Sequence, residues 1–193
     1  DLLINVWGAD HHGYVQRMHA AFQALGGRPE QLELLIMQFV HLVEGGERGK
    51  MSKRAGEFVT IDDLIDDIGV DAARWFLLAR SHDTSIDLDL DLARSQSSEN
   101  PVYYVQYAHA RIASVLRKAG EERVAQALSG PVVVPAAGLH PSERALVRRL
   151  LDFPEEVREA ADRRAPHRIA AYALDAAQLF SAFYRDCQVV GVP

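Results

Sequence analysis

The hydrophobic periodicity of the chain changes near its midpoint, and this change limits the folds that the chain can adopt. Residues 2–7 and 32–43 are short apolar runs, and between them residues 11–25 place apolar side chains on one helical face. A strand–helix–strand order of this length predicts a parallel βαβ unit whose strands are buried on both faces. We therefore expect an α/β unit over residues 1–95.

Two helices and a strand are predicted in the rest of this unit. Thr60 is expected to cap a short helix, with Asp63 as its capping-box partner, and Gly69 is expected to end that helix. Residues 71–80 place apolar side chains on one face and predict a second helix. Residues 86–92 alternate apolar residues with aspartate, which predicts a strand with one acidic face.

The second half of the chain has a helical pattern, which predicts a helical bundle over residues 96–193. Residues 101–118 predict a long helix, while residues 124–142 contain three prolines and predict a loop, with residues 132–134 as the only candidate strand. Proline is expected in the first turn of a helix or where a helix restarts. The prolines at such positions are Pro101, Pro141, Pro154 and Pro166.

Charge is divided unevenly between the two halves. The chain of 193 residues has a net charge of −6, which for the whole molecule argues against a nucleic-acid partner. Residues 1–95 hold nine basic and sixteen acidic residues, whereas residues 96–193 hold twelve and eleven. The acidity therefore belongs to the first half, and the arginine-bearing helical half remains a candidate for RNA binding.

Cysteine content and hydropathy exclude two classes of protein. The single cysteine, Cys187, excludes a disulfide framework and a multi-cysteine zinc site. A membrane-spanning helix needs about 20 predominantly apolar residues. The longest segment without charged residues, 124–142, is interrupted by prolines and glycines. We therefore expect a soluble, cytoplasmic protein without a membrane segment.

A glycine-rich basic loop at residues 45–56 follows the second apolar run. It contains four glycines together with Lys50, Lys53 and Arg54. Clustered positive charge on such a loop suits a phosphate whose charge must be stabilised in a transition state. The alternative interpretation is a solvated hairpin with ordinary surface lysines. A Walker A loop is excluded because Met51 occupies the position that requires serine or threonine.

Residues 8–13, with the sequence Gly-Ala-Asp-His-His-Gly, lie between the first predicted strand and the first predicted helix. Ligands bind at the carboxyl ends of strands in open parallel sheets. Asp10 is therefore a candidate acceptor for ribose hydroxyl groups, and His11 or His12 is a candidate donor to a polar substrate. The alternative is that Asp10 caps the helix. A metal site is not predicted, because no further ligand has the usual spacing.

Two groups of side chains in the helical half are candidates for RNA contact. The tyrosines of the first group and the basic residues beside them can stack on unpaired bases, although their helical spacing also suits the core, which we favour for most of them. The arginines of the second group form either phosphate-facing stripes or a solvated mixed face with neighbouring glutamates. The groups are Tyr103, Tyr104, Tyr107, His109 and Arg111, and Arg144, Arg148, Arg149, Arg158, Arg163, Arg164 and Arg168.

Four segments stand out by their order along the chain, and two of them overlap the loop and the strand–helix connection described above. They lie at residues 8–14, 50–54, 70–76 and 100–111. The segment Lys-Met-Ser-Lys-Arg at 50–54 resembles the KMSKS signature of class I aminoacyl-tRNA synthetases, with arginine at the fifth position. The other three segments are similar, in chain order, to a late strand of the catalytic sheet, the connecting region and the opening helix of the DALR anticodon-binding domain of arginyl-tRNA synthetases. This resemblance implies an α/β unit with a partial Rossmann-type parallel sheet, joined to an all-α anticodon-binding domain.

The resemblance also implies an activity and a set of site residues. The activity is ATP-dependent activation of arginine to an adenylate, followed by transfer to tRNA(Arg). Lys50 and Lys53 would stabilise the pyrophosphate leaving group, and Ser52 would help to hold the loop. The implied ATP-binding residues are Gly8, Asp10, His11, Met51 and Arg54; the implied amino-acid pocket is His11 and His12; and the implied tRNA-binding residues are Tyr104, Arg111, Arg148 and Arg164.

The expected cofactor is ATP, with Mg²⁺ carried by the nucleotide and no protein metal site, in an enzyme expected to be a monomer. The sequence contains no HIGH-type motif. We therefore expect a C-terminal portion of a longer enzyme that is inactive on its own. Two alternatives remain: a non-catalytic RNA-binding helical module that retains a Rossmann segment, and a relative of the cysteine- or glycine-type synthetases.

Overall fold

The computed structural model describes residues 1–49, 59–131 and 138–191. The chain divides into two units, Asp1–Ala93 and Arg94–Pro193. The first unit combines small sheets with helices, and the second is helical in its described residues. None of the helices in these ranges is both long and apolar enough to cross a membrane.

The first unit begins with a strand, a helix and a second strand. Strand β1 (Leu3–Gly8) is followed by a 3-10 helix (Ala9–Tyr14) and helix α1 (Val15–Ala24), and the chain returns as strand β2 (Leu32–Met37). The two strands pair in parallel, with Leu3 opposite Leu32 and Gly8 opposite Met37. The parallel strand–helix–strand order is therefore present as predicted.

The predicted burial of the first strand is wrong. The side chains of Leu3, Ile4 and Val6 are 45–58% exposed. Among the described residues, β1 pairs only with β2, so this sheet has two strands. A two-stranded sheet lacks the neighbouring strands and covering layers that would bury both faces of β1.

The second apolar run forms two strands rather than the single strand that was predicted. Strand β2 ends at Met37, and strand β3 (Val40–Glu44) belongs to a different sheet. The amide of Gln38 donates to the carbonyl of His82 over 2.8 Å, so the backbone changes partner at this position. Hydrophobicity alone gives no sign of this change, because both strands are apolar.

Strand β3 is the centre of a three-stranded sheet. It pairs antiparallel with β4 (Glu47–Arg48) and parallel with β5 (Ile86–Asp89). The turn between β3 and β4 consists of Gly45 and Gly46, with φ angles of 57° and 80°. Two consecutive residues with positive φ are typical of a tight hairpin turn, and glycine adopts them without a steric penalty.

Helix α2 (Ile61–Leu78) confirms the predicted capping box. The hydroxyl of Thr60 accepts from the amide of Asp63 over 3.1 Å, and the Asp63 carboxylate accepts from the Thr60 amide over 2.9 Å. Gly69 has a φ of 80° and interrupts the helix, so the predicted helix end at this residue is present as a kink between two helical segments.

The predicted strand over residues 86–92 is too long. Strand β5 ends at Asp89, and the chain continues as helix α3 (Leu90–Arg94). The Asp89 carboxylate accepts from the amide of Leu92 over 2.9 Å, so this aspartate stabilises the first turn of the helix. Leu88 and Leu90 are buried in the core of the first unit, together with Leu64, Ala73 and Ala93.

The second unit consists of helices, and α8 packs against α4, α6 and α7. Prolines occupy the first turns of α4, α6 and α7, and Pro166 immediately precedes α8, as predicted. The predicted loop at 124–142 is wrong for its first residues, because α5 begins after Gly120, which has a φ of 83°. Residues 132–134 lie outside the described residues. The bounds are α4 Pro101–Ala119, α5 Glu121–Ser129, α6 Pro141–Leu151, α7 Phe153–Asp162 and α8 His167–Asp186.

Asn100 begins helix α4 and is 4% exposed. Its Oδ1 atom accepts from the amide of Val102 over 3.0 Å, and its Nδ2 atom donates to the carbonyl of Ser95 over 2.8 Å. We expect Asn100→Ala to lower the free energy of unfolding by about 1–2 kcal/mol, because the helix loses its cap and polar groups lose their partners. Urea denaturation measures this change. The control variant is His109→Ala, which alters the exposed face of α4. Equal midpoints for the two variants would contradict the capping role.

Candidate functional site

The segment after β1 places three of the predicted ligand-binding residues at the carboxyl end of a parallel strand pair. Gly8 is the last residue of β1, and Asp10 and His11 lie in the 3-10 helix that follows. A Cβ atom on Gly8 would lie 2.7 Å from Asp10 Oδ1. Glycine at this position therefore allows the Asp10 carboxylate to fold back against the end of the strand.

Asp10 does not act as a helix cap, so the alternative interpretation of this residue is wrong. The cap of the 3-10 helix is Gly8, the cap of α1 is Tyr14, and neither end has a side-chain capping hydrogen bond. The Asp10 carboxylate instead lies 3.6 Å from His11 Nε2, and the two side chains are 64% and 58% exposed. Both groups are therefore accessible to a ligand.

Two aromatic rings lie near the imidazole ring of His11. The centroid of its ring lies 6.3 Å from that of Trp7 and 6.4 Å from that of Tyr14. His12 lies in the same 3-10 helix and is exposed. Over the ranges that the structure describes, no three His, Cys, Asp or Glu side chains are grouped as metal ligands.

The basic residues of the glycine-rich loop, Lys50, Met51, Ser52, Lys53 and Arg54, lie outside the described residues. The hairpin that precedes them is described, and aspartates of the 86–92 segment contact it. The amide of Gly45 donates to Asp91 Oδ2 over 2.7 Å, and Arg48 Nη2 donates to Asp87 Oδ2 over 2.8 Å. Sequence reasoning missed both of these contacts between the hairpin and the aspartates. Their only signal was the alternation of aspartate in a segment expected to be a strand.

In the second unit, the predicted residue Arg111 lies on an aromatic cluster. Its guanidinium carbon lies 4.6 Å from the ring centroid of Tyr107 and 5.0 Å from that of Tyr184, and its Nη2 atom donates to the Tyr107 hydroxyl over 2.8 Å. The rings of Tyr103 and Tyr107 are stacked, with centroids 6.2 Å apart. Tyr107 is 48% exposed and lies outside the core, whereas Tyr103 and Tyr104 are half-buried. The contribution of Tyr184 was not predicted.

Most of the arginines in the second predicted group form ion pairs within the protein. Arg149 Nη1 and Arg168 Nη2 lie 3.0 and 2.8 Å from the carboxylate oxygens of Glu156. Arg163 pairs with Glu159 over 2.8 Å, and Arg158 pairs with Glu155. This pairing favours the mixed-face alternative for these four arginines. The two predicted tRNA-binding members of the group, Arg148 and Arg164, are exposed.

Comparison with known proteins gives a matching family model and sequence relatives that agree with it. The model of the DALR anticodon binding domain matches residues 105–193. The chain is 51% identical to the arginine–tRNA ligase of Heliobacterium modesticaldum and 53% identical to that of Desulforudis audaxviator, over 98% and 99% of its length. Each alignment covers 34% of the relative, so the chain spans about one third of the length of these relatives.

Solved structures agree with the sequence relatives. An arginyl-tRNA synthetase structure from Campylobacter jejuni superposes with a TM-score of 0.87 at 37% identity, over 99% of this chain and 41% of that one. The Thermus thermophilus arginyl-tRNA synthetase superposes with a TM-score of 0.66 at 29% identity, over the whole of this chain and 34% of that one. The chain is therefore similar, over nearly its whole length, to about one third of the length of arginyl-tRNA synthetases, as its sequence resemblance implied, and its residues 105–193 match a DALR anticodon-binding domain.

Proposed function

We propose that the chain forms part of an arginine–tRNA ligase, in which the first unit contributes to ATP and arginine binding and the second unit binds tRNA(Arg). The observation that carries this proposal is the identity of 51–53% to arginine–tRNA ligases over nearly the whole chain. In this proposal, the parallel β1–β2 pair belongs to a Rossmann-type catalytic sheet. The protein acts in the cytoplasm as a monomer.

The proposed reaction has two steps. In the first, a carboxylate oxygen of arginine forms a bond to the α-phosphorus of ATP, the bond from that phosphorus to the bridging oxygen breaks, and pyrophosphate leaves. In the second, a terminal ribose hydroxyl of the tRNA attacks the arginyl carbonyl carbon, and AMP leaves. Negative charge develops on the phosphates in the first step, so positive groups aimed at them accelerate it.

The basic loop supplies that positive charge in the proposed mechanism. Lys50 and Lys53 stabilise the pyrophosphate leaving group, Ser52 helps to hold the loop, and Met51 and Arg54 contact ATP. Mg²⁺ bound to the nucleotide phosphates supplies further neutralisation of charge. In this proposal the metal arrives bound to ATP, and the protein supplies no metal site of its own.

The residues after β1 bind the nucleotide and the amino acid in this proposal. The exposed Asp10 carboxylate accepts hydrogen bonds from the ribose hydroxyls, and Gly8 leaves space for that carboxylate beside the strand. His11 and His12 line the arginine pocket. The support is their position at the carboxyl end of parallel strands, where α/β folds bind ligands.

The second unit contacts RNA through Tyr104, Arg111, Arg148 and Arg164 in this proposal. Arg111 and the exposed Tyr107 present a guanidinium and an aromatic ring side by side. Unpaired bases stack on surfaces of this kind, and exposed arginines contact phosphates without reading the sequence. The match of residues 105–193 to an anticodon-binding domain supports the assignment of Arg111, Arg148 and Arg164, and Tyr104 immediately precedes the matched range.

A chimera tests the proposed activity. In the chimera, this chain replaces the matching third of the Heliobacterium modesticaldum arginine–tRNA ligase, with which it is 51% identical. We expect the chimera to catalyse ATP–pyrophosphate exchange with arginine and not with cysteine or glycine, and the chain alone to show no exchange. A chimera that binds tRNA but catalyses no exchange would favour the non-catalytic RNA-binding alternative. Exchange with cysteine or glycine would favour a relative of the cysteine- or glycine-type synthetases.

The RNA-binding assignment predicts a specific effect of Arg148→Ala on tRNA(Arg) binding by the chain. Loss of one phosphate contact is expected to weaken binding several-fold and to reduce the slope of log affinity against log salt by about one. Arg158→Ala is the matched control, because Arg158 is an exposed arginine of the same unit that pairs with Glu155. Filter binding across a salt series measures both variants, and equal slopes for the two would contradict the assignment of Arg148.

A further inference from the structure

The hairpin formed by β3 and β4 is attached to the aspartate-rich segment at its turn and at its second strand. At the turn, the Gly45 amide donates to Asp91 Oδ2 over 2.7 Å. On β4, Arg48 Nη2 donates to Asp87 Oδ2 over 2.8 Å. The amide of Gly49 then donates to the carbonyl of Leu42 over 2.9 Å, which keeps the chain beside β3 up to the residue before Lys50.

The position of Asp91 is set by its neighbours rather than by the hairpin. Leu90 and Ala93 are buried in the core of the first unit, at 8% and 6% exposure. Asp89 accepts from the amide of Leu92 and stabilises the turn that contains Asp91. The backbone of Asp91 therefore lies in a packed helical turn, from which its exposed carboxylate accepts from the turn of the hairpin.

The second contact has the character of an exposed, charge-assisted hydrogen bond. The Arg48 and Asp87 side chains are 59% and 51% exposed. The hydrogen bond from Arg48 lowers the pKa of Asp87 below its ordinary value. Exposed ion pairs contribute little to the free energy of unfolding. We therefore expect the Arg48–Asp87 pair to affect the local geometry of the hairpin rather than the stability of the protein.

Two glycines with positive φ form the turn, and glycine has the largest backbone freedom of any residue. A two-residue turn of this kind therefore needs outside contacts to keep one orientation. Asp91 contacts the turn, and Asp87 contacts the strand that leaves it. Together they hold the described part of the hairpin, which ends at Gly49.

We propose that Asp91 and Asp87 are positioning residues for adenylate formation, which act by holding the β3–β4 hairpin from which the basic loop continues. The inference rests on the proposed function, because the loop residues Lys50 and Lys53 carry the chemistry there. Neither aspartate contacts substrate in this proposal. Displacement of catalytic groups by about 1 Å can slow a reaction by about a hundredfold.

The first test is a comparison of Asp91→Ala and Asp91→Asn in the chimera. Asparagine retains an oxygen that can accept from the Gly45 amide, whereas alanine does not. We expect Asp91→Ala to lower the kcat of arginine-dependent exchange roughly tenfold with little change in the KM for arginine, and Asp91→Asn to recover most of that loss. Asp66→Ala is the matched control, because Asp66 is an exposed aspartate of α2 in the same unit.

The second test uses charge reversal, which suits the pair because both side chains are exposed and a folding defect is not expected. Arg48→Asp and Asp87→Arg are each expected to lower kcat several-fold, and the double variant is expected to regain activity. Double-mutant coupling of this kind isolates the pairwise interaction. Thermal melting of each variant separates a kinetic effect from loss of folded protein.

The outcomes distinguish this inference from the proposed function. The positioning role would be overturned if the chimera is active, Lys53→Ala abolishes that activity, and Asp91→Ala and both charge-reversal variants retain it. The proposed function would then still stand. An inactive chimera with this chain unaltered would overturn the function itself. If Asp91→Ala fails to fold, the charge-reversal pair decides, and absence of recovery in the double variant counts against the inference.

Discussion

Replacing Lys53 with alanine in the chimera is expected to slow arginine-dependent ATP–pyrophosphate exchange by about a hundredfold to a thousandfold. In the proposed mechanism the Lys53 ammonium group stabilises charge that develops on the pyrophosphate in the transition state, and loss of such a contact costs about 3–4 kcal/mol. The affinity for tRNA(Arg) is expected to stay within about twofold, because the contact belongs to the first step. Exchange kinetics and filter binding measure the two quantities.

Lys118→Ala is the matched control for this prediction. The chain has three lysines, and Lys118 lies in the last turn of helix α4 in the other unit. Its replacement removes the same charge and is expected to leave the exchange rate unchanged. Comparable losses of exchange and tRNA binding in Lys53→Ala would contradict the proposed role of the basic loop.

The second large effect is expected at Glu156, where three helices of the second unit are joined. Arg149 of α6 and Arg168 of α8 both pair with this carboxylate of α7, and Arg149 Nε also lies 2.7 Å from Asp175 Oδ2. The Arg149 and Glu156 side chains are only 20% and 19% exposed. Neutralising Glu156 removes a carboxylate that compensates the charges of both Arg149 and Arg168 and leaves Asp175 beside Arg149. We therefore expect Glu156→Gln to lower the free energy of unfolding by about 2 kcal/mol.

Glu155→Gln is the control, because Glu155 is the adjacent residue of α7 and pairs with Arg158 at the surface. Exposed pairs contribute about 0–1 kcal/mol, so this variant is expected to unfold close to the unaltered chain. Urea denaturation monitored by circular dichroism compares the two. Equal destabilisation of both variants would show that the network at Glu156 does not carry the interhelical stability.

The same carboxylate predicts a pH dependence. The hydrogen bond from Arg149 and the charge of Arg168 lower the pKa of Glu156 in the folded state. Its contribution to stability is therefore complete above the unfolded pKa, which is about 4.3, and is lost as the pH falls through the lowered folded pKa. The stability difference between the unaltered chain and Glu156→Gln is expected to shrink over that acidic window. A stability difference between the two proteins that stays constant from pH 7 to about pH 3 would contradict the assignment.

Local features of the sequence predicted the helix boundaries well. The capping box at Thr60 and Asp63 is confirmed by hydrogen bonds in both directions. Prolines mark the first turns of several helices, and Gly69 marks a kink. These features depend on residues within one helical turn, so the sequence contains all the information that determines them.

Features that depend on distant segments were predicted less well. The apolar run at 32–43 predicted one strand, but residues near His82 and Ile86 take over the backbone hydrogen bonds and divide it into β2 and β3. The aspartate alternation at 86–92 predicted one acidic strand. Its aspartates instead have separate roles, as a partner of Arg48, a helix cap and an acceptor for the Gly45 amide.

The candidate site shows the same division. The KMSKS-type segment at 50–54 and the run at 100–111 were sufficient to indicate the family, which the comparisons confirm. The sequence did not indicate that Tyr184 joins Tyr107 beside Arg111, or that Arg149 and Arg168 meet at Glu156. The first arrangement joins residues of α4 and α8, and the second joins residues of three helices, so both depend on how the helices pack together.

The sequence by itself determined the resemblance to arginyl-tRNA synthetases, the order of an α/β unit and a helical unit, and the residues at which most helices begin, because these depend on residue identity and on short-range hydrogen bonding. The tertiary structure decided which charges are available. Arginines that looked alike in the sequence differ in pairing and burial: Arg149 is largely buried and pairs with Glu156, Arg158 is exposed and pairs with Glu155, and Arg148 is exposed. The physical reason is that pairing and burial depend on which helices pack together, and that packing is set by contacts between segments that the local pattern does not encode.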